Sequence, residues 1–270
     1  MALADVKDSW VTYYEKLTQA AEEAGAQDAV QWILKTAPWT YNRLRRRLFA
    51  SLKIGAGTSL LQAGSGVGKS GIAEALLAGC EVTLLDYSAR ALHCAASVLQ
   101  QLQARYPQIA PRVQFLHGAL EDLQVENRFD VTFNEGVVEH WFTDHERLQI
   151  LLQMKRWTKP GGKVIVFVPN DKNPFYRRAI ARGIARHSPV PPEKGFTSEE
   201  LCQRMEEAGL ADVMVQGFAP HLTFGGYTRF RPLAFLAWLL EPLLPKSIAH
   251  VYRDRYGFFL VGIGTRRLDQ

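Results

Sequence analysis

Between residues 58 and 170 short apolar runs alternate with amphipathic segments, and that rhythm constrains the fold more than any single motif. TSLLQA, EVTLLD, VQFLHG, FDVTFN and KVIVFVPN read as strands. GIAEALLAG, SARALHCAASVLQQLQARY and HERLQILLQMKRW read as the helices between them, with Ser88 as an N-cap and KPGG as a turn. Strands that alternate with helices imply right-handed crossovers and a mostly parallel sheet covered on both faces. Before this block, residues 1–52 read as a helical cap: Trp10, Tyr13, Tyr14, Leu17 and Ala20 recur at helix spacing, and Leu44 and Leu48 mark a second helix whose RLRRRL is expected to be a solvated face. After it the rhythm breaks. Residues 171–197 are basic and contain prolines, SEELCQRMEEAGL is a helix, and DVMVQGF and RYGFFLVGIGTRR are strands expected to pair antiparallel at a sheet edge. The aromatic, proline-broken stretch 219–250 is inserted between those two strands and is expected to form a lid on a main domain spanning 53–270.

The stretch QAGSGVGKSG, residues 62–71, supports two readings. GVGKS resembles the end of a phosphate-binding P-loop, but that motif needs an opening glycine where Ala63 stands. GSGVG supplies glycines at 64, 66 and 68 between a strand and a helix, the setting in which backbone approaches a nucleotide-like ligand at a helix N-terminus. Asp86, at the end of the next strand and about 20 residues on, stands where such folds place a carboxylate on a ribose. An ATP-binding protein therefore stays open as the weaker alternative.

Charge and cysteine usage narrow the partners. The net charge of +5 is spread along 270 residues. It suits an anionic substrate or membrane surface and is too small to argue for nucleic acid. Cys80, Cys94 and Cys202 show no C-x-x-C spacing and read as free thiols of a reducing compartment. MALADVKDSW has no apolar core, and no run of about 18 apolar residues exists. A cytoplasmic enzyme is expected, with peripheral membrane contact open through residues 219–250, where aromatic and leucine side chains interleave with Arg229, Arg231 and Lys246.

The order of motifs from LLQAGSGVG through LLDYS, GALEDL, FDVTFNEGVVEHW and KPGG to VPN resembles the class I S-adenosylmethionine-dependent methyltransferases of small-molecule type. The resemblance covers about residues 58–170, with a tail to 265. It implies a Rossmann-like sheet with helices on both faces and S-adenosylmethionine as cofactor. It implies that Gln62, Gly64, Ser65, Gly66 and Gly68 approach the methionine part, that Asp86 accepts from the ribose, and that Tyr87, Ala119, Leu120 and Glu121 surround adenine. Asn134, Glu135 and Gly136 follow the fourth strand on the same rim. Gln62 replaces the usual acid, and Ala119 replaces a frequent Asp. Lys69 and Ser70 then become ordinary first-turn residues of a helix.

Methyl transfer from a sulfonium needs alignment and exclusion of water, and a base only where the acceptor carries a proton. His140 is the candidate base for a hydroxyl acceptor. Glu135, Asn170 and Asp171 are out of register for a metal, and none is assigned. The chain shows no N/D-P-P-Y/F motif and no Pro-Cys nucleophile, so a small-molecule or lipid-like acceptor is expected. O-methylation is favoured, N- or C-methylation of a biosynthetic intermediate is the alternative, and residues 175–195 and 219–250 are expected to form the acceptor pocket.

Overall fold

Seven strands form one sheet: β1 (Ser59–Ala63), β2 (Glu81–Asp86), β3 (Val113–His117), β4 (Phe129–Glu135), β5 (Thr158–Pro169), β6 (Leu210–Phe218) and β7 (Phe259–Arg266). Their spatial order is β3-β2-β1-β4-β5-β7-β6. The first five are parallel, and β7 runs antiparallel to both β5 and β6. The antiparallel pair expected from the sequence is thus present, with β6 outermost. The computed structural model describes residues 8–9, 12, 14–15, 19–35, 37–182, 193–226 and 231–268. The periodic positions Trp10, Tyr13 and Leu17 and the positions Tyr227, Arg229 and Phe230 lie outside the described residues, as do the side chains of Ala20 and Arg231.

The helices are α1 (Gln19–Leu34), α2 (Tyr41–Ser51), α3 (Lys69–Ala78), α4 (Ala89–Gln103), α5 (Asp144–Trp157), α6 (Pro174–Ala181), α7 (Ser198–Glu207), α8 (Pro220–Gly226), α9 (Arg231–Leu240) and α10 (Lys246–Tyr256). Local chemistry sets several starts. Ser88 accepts from the Ala91 N–H, and Thr143 and Thr197 form capping boxes with Glu146 and Glu200. Asn173 caps α6, so the stretch that reads as irregular after β5 contains a helix.

Period-two alternation divides the core between the sheet's two faces. Leu60 and Leu84 join a layer with Ile33 of α1, Phe49 of α2 and Ile72 of α3. Leu61 and Leu85 join the opposite layer with Met154 and Trp157 of α5 and Leu201 of α7. The N-terminal helices are therefore a covering layer of the sheet, because Ala29, Ile33 and Phe49 are buried in its core. KPGG also differs from expectation: it lies inside β5, at an irregularity where Phe129 pairs with Thr158 and Val131 with Lys163.

Candidate functional site

The loop after β1 opens a cavity at the carboxyl ends of the parallel strands. Gly64, Gly66 and Gly68 all have positive φ, at 69°, 52° and 68°. Two hydrogen bonds tie the loop to β2, and a third fixes the Asp86 carboxylate from the start of α4. Ser65 N–H donates to the Leu85 carbonyl (2.9 Å), Gly66 N–H to Asp86 Oδ2 (2.7 Å) and Ser88 N–H to Asp86 Oδ1 (2.9 Å). Burial raises the Asp86 pKa against the pull of the Ser88 and Gly66 hydrogen bonds. The cavity has a volume of about 460 Å³.

Most of the residues singled out from the sequence meet there. Gln62, Gly64, Ser65, Gly66, Asp86, Tyr87, Leu120, Glu121, Glu135, Gly136 and His140 line the cavity. Three others do not. A Cβ at Gly68 would sit 2.6 Å from Leu84 Cδ1, so this glycine lets α3 start against β2 instead of admitting a ligand. Ala119 only precedes the short turn Leu120–Asp122. Asn134 points to the opposite face of the sheet, where its amide donates to Met154 Sδ (3.1 Å); strand alternation turns Glu135 to the cavity instead. Gln62 is partly used by the protein itself, since its Oε1 accepts from the Gly71 N–H (2.8 Å) and fixes the first turn of α3.

Beneath the loop lies a charged network that the sequence reading missed. Arg45, expected on a solvated face, is fully buried. Its guanidinium donates to Glu74 Oε1 (3.1 Å), Ser70 Oγ (2.6 Å), Glu135 Oε1 (3.3 Å), Asn42 Oδ1 (2.9 Å) and the Ser70 carbonyl (3.2 Å). Tyr41 donates to Glu135 Oε1 (2.9 Å), and Ser70 donates to Glu135 Oε2. Burial acts to lower the Arg45 pKa, but Glu135 and Glu74 outweigh it and raise the value. Burial and then Glu135 push the Tyr41 phenol well up. This network also bears on the P-loop reading. Ser70 Oγ, which such a loop would place on magnesium, is engaged by Arg45 and Glu135.

Across the cavity, the short turn Val138–His140 follows β4. His140 and Trp141 line the cavity there with Val137. Glu139 and Glu193 stand beside His140, and one ligand atom from each of the three lies within 4.8 Å of the others. Asn170 instead donates to the carbonyls of Asp254 (2.8 Å) and Gly257 (3.2 Å), away from Glu135.

Tyr14 and Trp32 of the N-terminal segment line the cavity, and among the described residues none from the stretch 219–250, expected as a lid, does so. The segment packs farther out, where Phe235 and Trp238 of α9 meet Trp39 at 5.8 and 5.6 Å between ring centroids. Of the stretch 175–195 expected to face the acceptor, residues 183–192 lie outside the described residues. No signal near Tyr14, Trp32 or Arg45 marks their roles, because each meets the site only through the tertiary fold.

Residues 61–166 match the family model described as the methyltransferase domain. A protein of Oryza sativa subsp. indica, assigned as protein arginine N-methyltransferase 6.1, is 28% identical over 100 residues, 33% of this chain and 26% of that protein. The chain thus spans about a quarter of that relative. Among solved structures, phosphoethanolamine N-methyltransferase 2 of Haemonchus contortus in complex with S-adenosyl-L-methionine superposes with a TM-score of 0.58 at 19% identity, covering 92% of this chain and 58% of that one. A Nostoc punctiforme protein assigned as an O-methyltransferase gives 0.55 at 20% identity, covering 88% and 60%.

Proposed function

We propose, from the premise that this chain carries a class I S-adenosylmethionine-dependent methyltransferase domain, that it transfers a methyl group to a small-molecule or lipid-like acceptor, at oxygen. The carrying observation is the cavity between the glycine loop and the Val138–His140 turn, which brings cofactor-side and acceptor-side residues to one rim. The residues fit the cofactor. Gly64 and Gly66 present bare backbone, Asp86 offers a buried carboxylate for a ribose, and Ser65 Oγ is buried with no hydrogen-bond partner among the described residues. When bound, the cofactor supplies an electrophilic methyl on a sulfonium with a good neutral leaving group.

The chain's own contribution is alignment and dryness. Trp32, Val137 and Trp141 give the cavity an apolar lining that limits the water in it. Glu135, fixed by Tyr41, Ser70 and Arg45, lines the cavity and would offer carboxylate lone pairs to a donor on the cofactor. His140 lines the cavity and, in this reading, receives the proton of an acceptor hydroxyl. Asp86→Ala is expected to weaken S-adenosylhomocysteine binding by about 1–3 kcal/mol, read by calorimetry. ATP binding that depends on Lys69 would sink the assignment. His140→Ala is expected to lower turnover by about 10²–10⁴ with cofactor affinity unchanged. Undiminished turnover on an amine acceptor would make the histidine structural and move the transfer to nitrogen.

The acceptor's source is read from α9 and α10. Leu236, Leu239, Leu243, Ile248 and Val251 are exposed, Leu243 at 76% and Val251 at 64%. Lys246 and Arg255 lie along the same stretch, and cations beside exposed leucines suit an anionic lipid surface. Trp39 links this surface to the site, since it packs on α9 and lies two residues before Tyr41, whose hydroxyl holds Glu135. Salt-sensitive co-sedimentation with phosphatidylglycerol vesicles, lost in Leu243→Glu with Val251→Glu, is the expected result. No binding at low salt would leave a soluble acceptor.

A further inference from the structure

We propose that Glu139, His140 and Glu193 form a divalent-cation site on the acceptor wall of the cavity. The three side chains come from the turn after β4 and from the segment that leads into α7, and their ligand atoms already lie within 4.8 Å of one another. The two segments are fastened together. Lys194 N–H donates to the Glu139 carbonyl (3.0 Å), while Arg147 donates to the Trp141 carbonyl (2.7 Å) and the Lys194 carbonyl (2.6 Å). Arg147 also stacks at 3.9 Å over Phe196. Two of its donors go to backbone carbonyls, and among the described residues no ion pair joins it to Glu139, although its charge still acts on that carboxylate.

A second observation points to a ligand. Glu139 is 1% exposed, and its Oε2 has no hydrogen-bond partner among the described residues. A buried carboxylate oxygen without a partner is unfavourable unless a proton or a cation meets it. Glu193 adds a second carboxylate beside it. A cation would compensate both groups.

The donor set is one imidazole nitrogen and two carboxylate oxygens. That mixture suits Mn²⁺, Fe²⁺ or Zn²⁺ better than a thiol-seeking ion. Three protein ligands would leave coordination positions for a further oxygen donor, and one of the three, His140, lines the cavity. The inference rests on the methyl-transfer reading and deepens it, by naming an acceptor that carries an oxygen donor. Coordination lowers the pKa of its hydroxyl. The O–H bond then breaks with its proton passing to water, the oxygen lone pair forms the new bond to the methyl carbon, and the C–S electron pair leaves on sulfur. In this arrangement His140 acts as a ligand in place of a free base.

The test is binding of Mn²⁺ to the EDTA-stripped full chain, followed by the electron paramagnetic resonance of free Mn²⁺. Saturable binding at one site is expected, weakened at least about tenfold in Glu139→Gln and in Glu193→Gln, with S-adenosylhomocysteine affinity unchanged in both. Protein that binds S-adenosylhomocysteine but not Mn²⁺ overturns the cation site and leaves the methyl-transfer reading intact. Mn²⁺ binding indifferent to both substitutions overturns it as well. Protein that binds Mn²⁺ at these residues but no S-adenosylhomocysteine would instead remove the reading on which the inference rests. Glu193→Gln alters a partly exposed side chain and keeps the test open if Glu139→Gln misfolds.

Discussion

Two pairs of carboxylates face each other across the cavity, and the protein treats them differently. On the glycine-loop side Glu74 and Glu135 share the guanidinium of Arg45. On the acceptor side Glu139 and Glu193 stand together with no bonded cation among the described residues. The first pair has its cation within the chain, although Glu74 Oε2 lacks a hydrogen-bond partner among the described residues, and that cation holds the loop in shape before any ligand arrives. The second leaves charge unbalanced, which is a cost to the fold and an attraction for something that binds. A buried ion pair is weak evidence for stability as such, yet breaking one is expensive. The difference therefore separates architecture from reactivity.

Removing the shared cation breaks the comparison most severely. Arg45→Met leaves Glu74 and Glu135 buried against each other and is expected to destabilise by about 3–5 kcal/mol, measured by urea unfolding. Replacing Arg45 and Glu74 together by apolar residues of similar volume should recover part of that loss; no recovery would mean that Arg45 acts mainly through Ser70 and Asn42. A smaller loss is expected where the loop enters α3. Gly68→Ala combines a φ of 68° with a Cβ 2.6 Å from Leu84 and should cost roughly 1–3 kcal/mol.

An exposed ion pair gives a third reference point. Asp130 accepts from Lys159 (2.7 Å) and from the Ser59 N–H and hydroxyl (2.8 and 2.6 Å), joining β1 to β4. Burial acts to raise its pKa, but Lys159 and Ser59 outweigh it and lower the value. Its contribution is therefore present above the ordinary aspartate range and lost as pH falls through the lowered value. Solvent screening keeps it small, and Asp130→Asn should cost about 0.2–1 kcal/mol at pH 7 and nothing below that window. Last, Glu139→Gln should leave the stability of the metal-free protein unchanged or raise it, because a neutral amide of the same shape relieves an uncompensated buried carboxylate whose Oε2 lacks a partner among the described residues. A loss as large as that of Arg45→Met would show the two pairs to be alike.

What could be read from the sequence was what lies close along the chain. The glycine loop, the strand ending in Asp86 and the EH turn each combine a strand, a bend and a following helix within a few residues, so local pattern placed them on one rim. Thr143 and Thr197 likewise announce their helices through Glu146 and Glu200. Arg45 could not be read, because its partners Glu74 and Glu135 come from two other elements, and an arginine-rich helix has the composition of a solvated face. The direction of Asn134 was missed by one residue of strand register, which exchanges the faces of the sheet. The stretch 219–250 was read as a lid from its apolar content, but composition says that a segment must find a surface and not which one.

The placement of β7 between β5 and β6 has a consequence for how the protein is made. β5 is synthesised well before β7, and the stretch from Pro169 to its partner Phe259 takes roughly 5–20 s to translate at ordinary rates. Throughout that interval the outer edge of β5, with Val164, Ile165, Val166, Phe167 and Val168 along it, has no strand to pair with. β6 is complete by then but cannot dock, since its neighbour in the sheet is β7. The nascent chain thus presents an apolar strand edge, a template for association with other chains, until the last strand arrives. A binding rim assembled early in synthesis therefore waits on the closing of a sheet half that forms after it.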